Sequence, residues 1–181
     1  GMPVGPLAVI DEINLGLVAQ IRNQTRKDLA AEGKELPLIP ADQVIDLMTE
    51  KVNRLGRAHG GGFYEYPKNG KKYLWPELQT YFPISKKPLN QDTMIERILF
   101  VQAIETIRTY EENVVTSVAE ANIGSIFGWG FPPDKGGTLQ FINDYGIKEF
   151  EKRSQELCIK YGNRFKPPTM LVKMASKKEM F

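Results

Sequence analysis

The sequence predicts an all-α fold with one small extended insert, and three observations lead to this prediction. Apolar residues recur at helical spacing in several long stretches, as in residues 91–113. The Asn69-Gly70 pair, flanked by aromatic residues, is typical of a tight turn between two short strands. Residues 128–150 also echo the pattern of residues 1–18, which indicates that the fold contains the same helical unit twice.

The internal echo becomes visible when the chain is shifted by 132 positions. GMPVGPLAVIDEINLGLV at the start and GWGFPPDKGGTLQFINDYGIKEF later both read as glycine, an apolar residue, proline, and then an amphipathic stretch. Apolar positions coincide in the pairs Leu7 and Leu139, Ile10 and Ile142, Ile13 and Tyr145, Leu15 and Ile147, and Val18 and Phe150. Asp11 falls on Asn143.

The residue that separates the two helices of each copy is more informative than the apolar positions. Asn14 falls on Gly146, and both residue types tolerate the left-handed conformation that ends a helix. Chance similarity between two amphipathic helices explains the shared apolar positions. It does not explain the shared stop residue and the shared lead-in, so a true repeat is favoured.

The first copy is predicted to contain three helices. A short helix starts with Pro6 as its first residue, and a longer one runs from Leu15 to about Ala31, with Gly33 closing it. After a connector at 35–40, a third helix is predicted over 41–57. Its apolar stripe consists of Val44, Met48, Val52 and Leu55.

The second copy is predicted to begin with two further helices. The helix at 91–113 has an apolar face formed by Met94, Ile95, Ile98, Leu99, Val101 and Ile104. The next begins at Ser117, which stands three residues before Glu120 as in a capping box. Helices at 147–161, closed by Gly162, and from Thr169 onward complete the copy.

The insert between the copies is predicted to be a small hairpin. Residues 63–66 and 72–75 are the two strand-like stretches, and residues 81–90 resemble a linker. The predicted organisation is therefore a first domain at 1–80, a linker at 81–90 and a second domain at 91–181.

The repeat also predicts that the chain is a piece of a longer one. Residue 91 shifted by 132 positions falls before residue 1, so the helices that match 91–126 would precede the chain. Gly1 ahead of Met2 is typical of a residue left by cloning, although it fits the repeat pattern as well. We expect the first copy to leave Ile10, Ile13, Val18 and Ile21 with less cover, which favours contact with the second copy and a homodimer.

Composition excludes several classes of function. The hydrophobic share of 41% and charged share of 25% are ordinary for a globular chain, and the net charge of +2 is too small to indicate nucleic acid or an anionic membrane. No basic stripe with interleaved aromatics is evident, and no apolar run is long enough to span a membrane. The single Cys158 excludes an internal disulfide and suits a reducing, cytoplasmic location.

The sequence yields no catalytic, cofactor-binding or metal-ligating residue. Gly60-Gly61-Gly62 does not form G-x-G-x-x-G, and one His with one Cys makes a metal site improbable. His59 is the sole general-base candidate, but no acid is placed beside it by a motif, so a surface histidine is expected.

Two further features have a functional and a structural interpretation. The glycine-rich residues 128–137 can hold an anion at the following helix N-terminus, or they can form a tight turn that lets two helices approach; the turn is favoured. Glu105 and Arg108, at i and i+3, predict a buried ion pair or a helix-to-helix bond rather than a substrate contact.

Three stretches together resemble one enzyme family. GMPVGPLAVIDEINLGLV and GRAHGGGFYEYP are similar to segments of the C-terminal domain of 3-hydroxyacyl-CoA dehydrogenases. Residues 96–146 resemble the second copy of that domain in the multifunctional fatty-acid oxidation complex alpha subunits. The resemblance implies a tandem repeat of the 6-phosphogluconate dehydrogenase C-terminal-like helical domain, with residues 1–67 forming most of the first domain.

The resemblance further implies a role in lipid metabolism, in fatty-acid β-oxidation. Members of the family are oxidoreductases that use NAD, bound with the catalytic His–Glu pair in a Rossmann domain that matches nothing in this sequence. No catalytic residue is therefore carried over, and no cofactor is expected on this chain. The implied partners are the Rossmann and hydratase domains of the parent enzyme, its acyl-CoA substrate, a second copy of the chain and the thiolase subunit.

A second hypothesis remains open at this stage. The same fold can serve as a free-standing, non-catalytic helical binding or assembly module. The DNA upstream of Met2 discriminates between the two, because an in-frame Rossmann sequence there indicates the enzyme.

Overall fold

A computed structural model describes residues 4–181, which divide into two compact units, residues 4–86 and 87–181. The described residues form nine α-helices and one two-stranded antiparallel sheet. The chain is therefore mostly helical with one small hairpin, as predicted. The lead-in at residues 1–3, on which part of the repeat argument rests, lies outside the described residues.

The first unit is built on three helices, α1 (Pro6–Ile13), α2 (Leu15–Ala31) and α3 (Pro40–Asp46). Pro6 is the first helical residue, where the missing N–H of proline costs nothing. The helices and the hairpin together bury a small apolar core, which consists of Leu15, Ile45, Met48, Phe63 and Trp75.

The predicted helix at 41–57 is wrong at its C-terminal end. The α-helical pattern stops at Asp46, a single π-turn covers Leu47–Lys51, and Asn53 has a φ of 52°, which ends the helix. The Leu55 carbonyl oxygen instead accepts a hydrogen bond from the Leu15 N–H at 2.8 Å. The apolar spacing continues beyond the helix because an irregular segment also buries side chains against the core.

The predicted hairpin is present. Strands β1 (Tyr64–Glu65) and β2 (Tyr73–Leu74) pair antiparallel, and Gly70 in the connecting loop has a φ of 128°. The tight turn predicted at Asn69-Gly70 is wrong, because the whole segment 66–72 joins the strands as an open loop of bends. A short helix, α4 (Leu78–Tyr81), follows, and residues 82–90 contain no helix or strand.

The second unit contains α5 (Gln91–Glu111), α6 (Val118–Trp129), α7 (Thr138–Tyr145), α8 (Ile147–Tyr161) and α9 (Thr169–Lys177). Ser117 caps α6 as predicted, because its hydroxyl oxygen accepts a hydrogen bond from the Glu120 N–H at 3.4 Å. Helix α5 packs on α7 and α9, and the rings of Phe100 and Phe150 stack with their centroids 4.1 Å apart.

The apolar face predicted for α5 is buried over only part of its length. Met94, Ile95 and Ile98 are 43%, 47% and 44% exposed, whereas Phe100 and Ile104 are fully buried. Helical spacing identifies the apolar side of a helix but does not show how far along the helix its neighbours extend.

The two positions matched by the repeat have nearly the same backbone angles. Asn14 has φ 93° and ψ 116°, Gly146 has φ 89° and ψ 117°, and each follows a helix of eight residues. Both have the positive φ that was predicted. The ψ values lie outside the left-handed helical region, so that detail of the prediction is wrong: each residue turns the chain directly into a new helix instead of ending a helix with a left-handed cap.

The matched apolar positions differ in burial. Leu7 is 37% exposed and Leu139 is fully buried, and Ile13 and Ile21 remain 49% and 58% exposed. The expectation of exposed side chains in the first copy is thus confirmed for Ile13 and Ile21. It is wrong for Ile10 and Val18, which pack against the apolar core of the first unit.

Replacing Gly146 with valine tests the positive-φ requirement. We expect the variant to lose about 1–3 kcal/mol of unfolding free energy, because a β-branched residue is strained at this φ. Its Cβ would also lie 2.6 Å from a Glu149 carboxylate oxygen. Asn14→Gly should be nearly neutral, since relief of strain offsets the loss of the Gly16 N–H to Asn14 Oδ1 bond. Urea denaturation measures both; wild-type stability of Gly146→Val contradicts the requirement.

Candidate functional site

The Asp11 carboxylate, near the C-terminal end of α1, connects this helix to the start of the hairpin. The residue is 1% exposed. Its oxygens accept hydrogen bonds from the Phe63 N–H at 2.8 Å, the Tyr64 N–H at 2.9 Å and the Tyr66 hydroxyl at 2.9 Å. A buried carboxylate needs such donors, because burial without them lowers the free energy of unfolding by an amount on the order of several kcal/mol.

The glycines before the hairpin allow the chain to approach Asp11. A Cβ on Gly62 would lie 2.0 Å from Asp11 Oδ1, and a Cβ on Gly56 would lie 2.4 Å from the Asp11 carbonyl oxygen. Gly56 and Gly62 therefore allow this segment to pack closely on α1. The segment leads from a 3-10 turn into strand β1.

Arg54 satisfies the carbonyl groups of the same segment. Its guanidinium donates to the Gly62 oxygen at 2.7 Å and to the Tyr64 oxygen at 3.2 Å, and it pairs with Glu65 at 2.9 Å. The guanidinium carbon also lies 4.5 Å from the centre of the Trp75 ring. Asp11 thus accepts hydrogen bonds from the N–H groups of this loop, and Arg54 donates hydrogen bonds to its carbonyl groups.

A polar cavity of about 460 Å³ opens beside this loop. Arg57 Nη1 contacts a Glu12 carboxylate oxygen at 2.7 Å, and its guanidinium lies 5.5 Å from the Tyr66 ring. Lys68 and Lys72 also line the cavity. Burial, followed by the hydrogen bond to Asp11, raises the pKa of the Tyr66 hydroxyl well above its usual range, so Tyr66 stays a neutral donor.

Neither the role of Asp11 nor this cavity was predicted from the sequence. Asp11 carries no motif, and its role depends on a loop more than fifty residues later in the chain. The cavity had a local signal in KNGKK, residues 68–72, directly after aromatic residues. The net charge of the whole chain does not reveal this local cluster of lysines, because acidic residues elsewhere in the sequence offset their charge.

His59 is an exposed residue, as predicted. It lies in a short 3-10 turn, Arg57–His59, and the Asn14 side-chain amide contacts its Nδ1 at 3.3 Å. No carboxylate of the described residues contacts its ring. An imidazole held in this way lacks the orienting acid of a general-base pair.

Glu105 and Arg108 form an ion pair at 2.7 Å, but not the buried one that was predicted. Glu105 is largely exposed. Arg108 reaches across to the turn after α8 and donates to the Lys166 carbonyl oxygen at 3.2 Å. The ion pair therefore has a structural role, because Arg108 links α5 to the turn after α8.

The glycine-rich residues 128–137 form the tight turn that was favoured. A Cβ on Gly137 would lie 2.5 Å from the Asn122 Cα, so α6 and the start of α7 touch through backbone. The Asn122 side-chain oxygen accepts from the Leu139 and Gln140 N–H groups at 2.9 and 3.1 Å. These N–H groups are therefore satisfied within the protein and do not offer an anion site.

Within residues 4–181, no three His, Cys, Asp or Glu side chains converge to hold a metal ion. No helix in the same range is long and apolar enough to cross a bilayer.

A pair of alanine substitutions tests the close packing on Asp11. Gly62→Ala should lower the unfolding free energy by about 2 kcal/mol or more, because the added methyl overlaps a buried carboxylate. Gly124→Ala is the matched control, since open space surrounds that helical glycine and alanine should stabilise by about 0.5–1 kcal/mol. Equal denaturation midpoints for the two variants would contradict the packing.

A graded pair of substitutions tests the hydrogen bonds of Asp11. Asp11→Asn should cost about 2–3 kcal/mol, because an amide nitrogen then faces an N–H donor. Tyr66→Phe removes a single donor and should cost about 1 kcal/mol. Guanidinium denaturation of both variants gives the two losses of unfolding free energy. A larger loss for Tyr66→Phe than for Asp11→Asn would be inconsistent with the hydrogen bonds described for Asp11.

One comparison with known proteins bears on this unit. The family model of the 3-hydroxyacyl-CoA dehydrogenase C-terminal domain matches residues 1–66. The matched range includes Asp11, the glycines that pack on it and the first strand of the hairpin. Through residues 1–66 the chain therefore carries a 3-hydroxyacyl-CoA dehydrogenase C-terminal domain.

Proposed function

We propose that this chain is the helical C-terminal portion of an NAD-dependent L-3-hydroxyacyl-CoA dehydrogenase of fatty-acid β-oxidation. The family match over residues 1–66 carries the proposal. In this portion the helices shape the acyl-CoA cleft and hold the assembly together. The rigid junction at Asp11 supports such a role, because a substrate wall needs a fixed backbone.

We also propose that the second unit is another copy of the same 6-phosphogluconate dehydrogenase C-terminal-like domain. The eight-residue helices before Asn14 and Gly146 and their nearly equal backbone angles support this. Asn143, which aligns with Asp11, likewise bonds a later segment: its side chain exchanges hydrogen bonds of 3.1 and 3.0 Å with the Phe181 backbone.

The proposal divides the chemistry between this portion and other domains. Oxidation of the 3-hydroxyl group needs NAD and a general base, and both belong to the Rossmann domain of the parent enzyme. His59, exposed and without an acid partner, takes no part in it. The hydratase domain and the thiolase subunit are the further partners proposed for the cytoplasmic complex.

A complementation experiment tests whether the catalytic step requires a separate NAD-binding domain. The purified chain should form no NADH from NAD and 3-hydroxybutyryl-CoA, because the hydride acceptor has no site on it. Adding a separately expressed NAD-binding domain of a 3-hydroxyacyl-CoA dehydrogenase should raise the rate above that of either part. Absorbance at the NADH maximum measures both.

Controls distinguish the proposal from its alternative. Lys27→Gln changes an exposed charge on α2 and should complement as well as wild type, whereas Asp11→Asn should complement poorly. NADH formation by the chain alone would overturn the proposal. Binding of a partner without any gain in rate would favour a non-catalytic assembly module instead.

We propose that the exposed apolar face of the first unit mediates homodimer formation. Ile13 and Ile21 are 49% and 58% exposed and belong to successive helices. Sedimentation at micromolar concentration should show dimer, and Ile13→Asp with Ile21→Asp should shift it to monomer, because a buried charge opposes association. An unchanged sedimentation coefficient would contradict this role of the face.

A further inference from the structure

We propose that a cleft in the second unit binds a small amphipathic anion, a carboxylate or phosphate head on a short hydrocarbon chain. The cleft has a volume of about 290 Å³ and lies between the N-terminal half of α5 and the turn that follows α8. Apolar side chains form most of its wall, and Arg97 and Arg164 line the same cleft.

The two arginines have no counter-ion among the described residues. Arg97 and Arg164 take part in no ion pair there, and their contacts are with aromatic rings. The neighbouring Glu96 is not available, because Arg153 holds both of its carboxylate oxygens at 2.8 and 2.7 Å. Two cations without partners beside apolar surface favour an oxyanion that pairs with both.

Two unsatisfied buried atoms lie next to the cleft. Arg97 Nε and the Tyr161 hydroxyl oxygen are both buried without a hydrogen-bond partner in the described chain. The two side chains touch, since the Arg97 guanidinium carbon lies 4.1 Å from the centre of the Tyr161 ring. Buried polar groups are rarely left unpaired, so the hydrogen bonding of this pair is incomplete within the described chain.

The Tyr161 ring also prepares Arg97 for binding. A guanidinium held flat on an aromatic ring loses less side-chain entropy when it pairs with an anion. The ring is itself fixed, because it packs against the buried Phe165 with centroids 6.3 Å apart. The cationic end of the cleft is therefore arranged before a ligand arrives.

The apolar wall explains why the ligand carries a hydrocarbon chain. Met94 and Ile98 of the wall are 43% and 44% exposed, and the buried Phe165 also lines the cleft. An inorganic anion would pair with the arginines but leave this surface in water. A neutral hydrocarbon would cover the surface but leave the arginines unpaired.

This inference does not depend on the proposed function. It uses only contacts of the second unit, which the family match at residues 1–66 does not reach. Failure of complementation leaves it untouched, and failure of anion binding leaves the dehydrogenase proposal untouched.

Calorimetric titration of the whole chain tests the ligand chemistry, with octanoate as the probe. We expect saturable binding with one site per chain. Acetate, which has the head alone, and octanol, which has the chain alone, should each bind at least tenfold more weakly. Octyl phosphate identifies the preferred head group. Equal affinity for octanoate and octanol would overturn the proposal.

Substitutions test the position of the site. Arg164 is exposed, so Arg164→Gln should fold normally and weaken octanoate binding about tenfold, as expected for loss of one charged hydrogen-bond partner. Arg97→Lys keeps the charge but loses the planar fork and should also bind more weakly. Lys152→Gln on α8 is the charge-matched control and should bind as wild type. Unchanged affinity of folded Arg164→Gln, or an equal loss in Lys152→Gln, would contradict the assignment.

Discussion

The buried carboxylate of Asp11 is the constraint on which the first unit depends. A charge at this position is tolerated because three donors from the start of the hairpin reach it. Those donors come close enough only because Gly56 and Gly62 have no side chains. The loop then places Phe63 in the core, so one polar junction determines where α1, the hairpin and the apolar cluster meet.

The second unit uses a different side chain at the aligned position for a physical reason. Asp11 meets three donors, and an ionised carboxylate is purely an acceptor. Asn143 meets one N–H and one carbonyl group of Phe181, and an amide supplies both an acceptor and a donor. The two residues thus perform the same task, anchoring a later segment to a short helix, with chemistry fitted to what that segment presents.

Local patterns predicted the features that local forces decide. Helices α8 and α9 and the Ser117 cap lie where the sequence places them, because helix starts and caps depend on neighbouring residues. The end of the third helix and the exposed start of α5 were missed, because each depends on which distant groups pack there. The role of Asp11 was invisible for the same reason: its partners lie more than fifty residues away.

The protection of two backbone amides tests the central role of Asp11 most directly. The N–H groups of Phe63 and Tyr64 donate to a buried carboxylate, so their exchange with solvent deuterium should require opening of the whole first unit. We expect both amides to exchange as slowly as the slowest amides of α2. The amide of exposed Lys71 at the hairpin tip serves as the fast reference. Exchange of Phe63 and Tyr64 at the rate of Lys71 would show that the junction opens freely and would contradict this account.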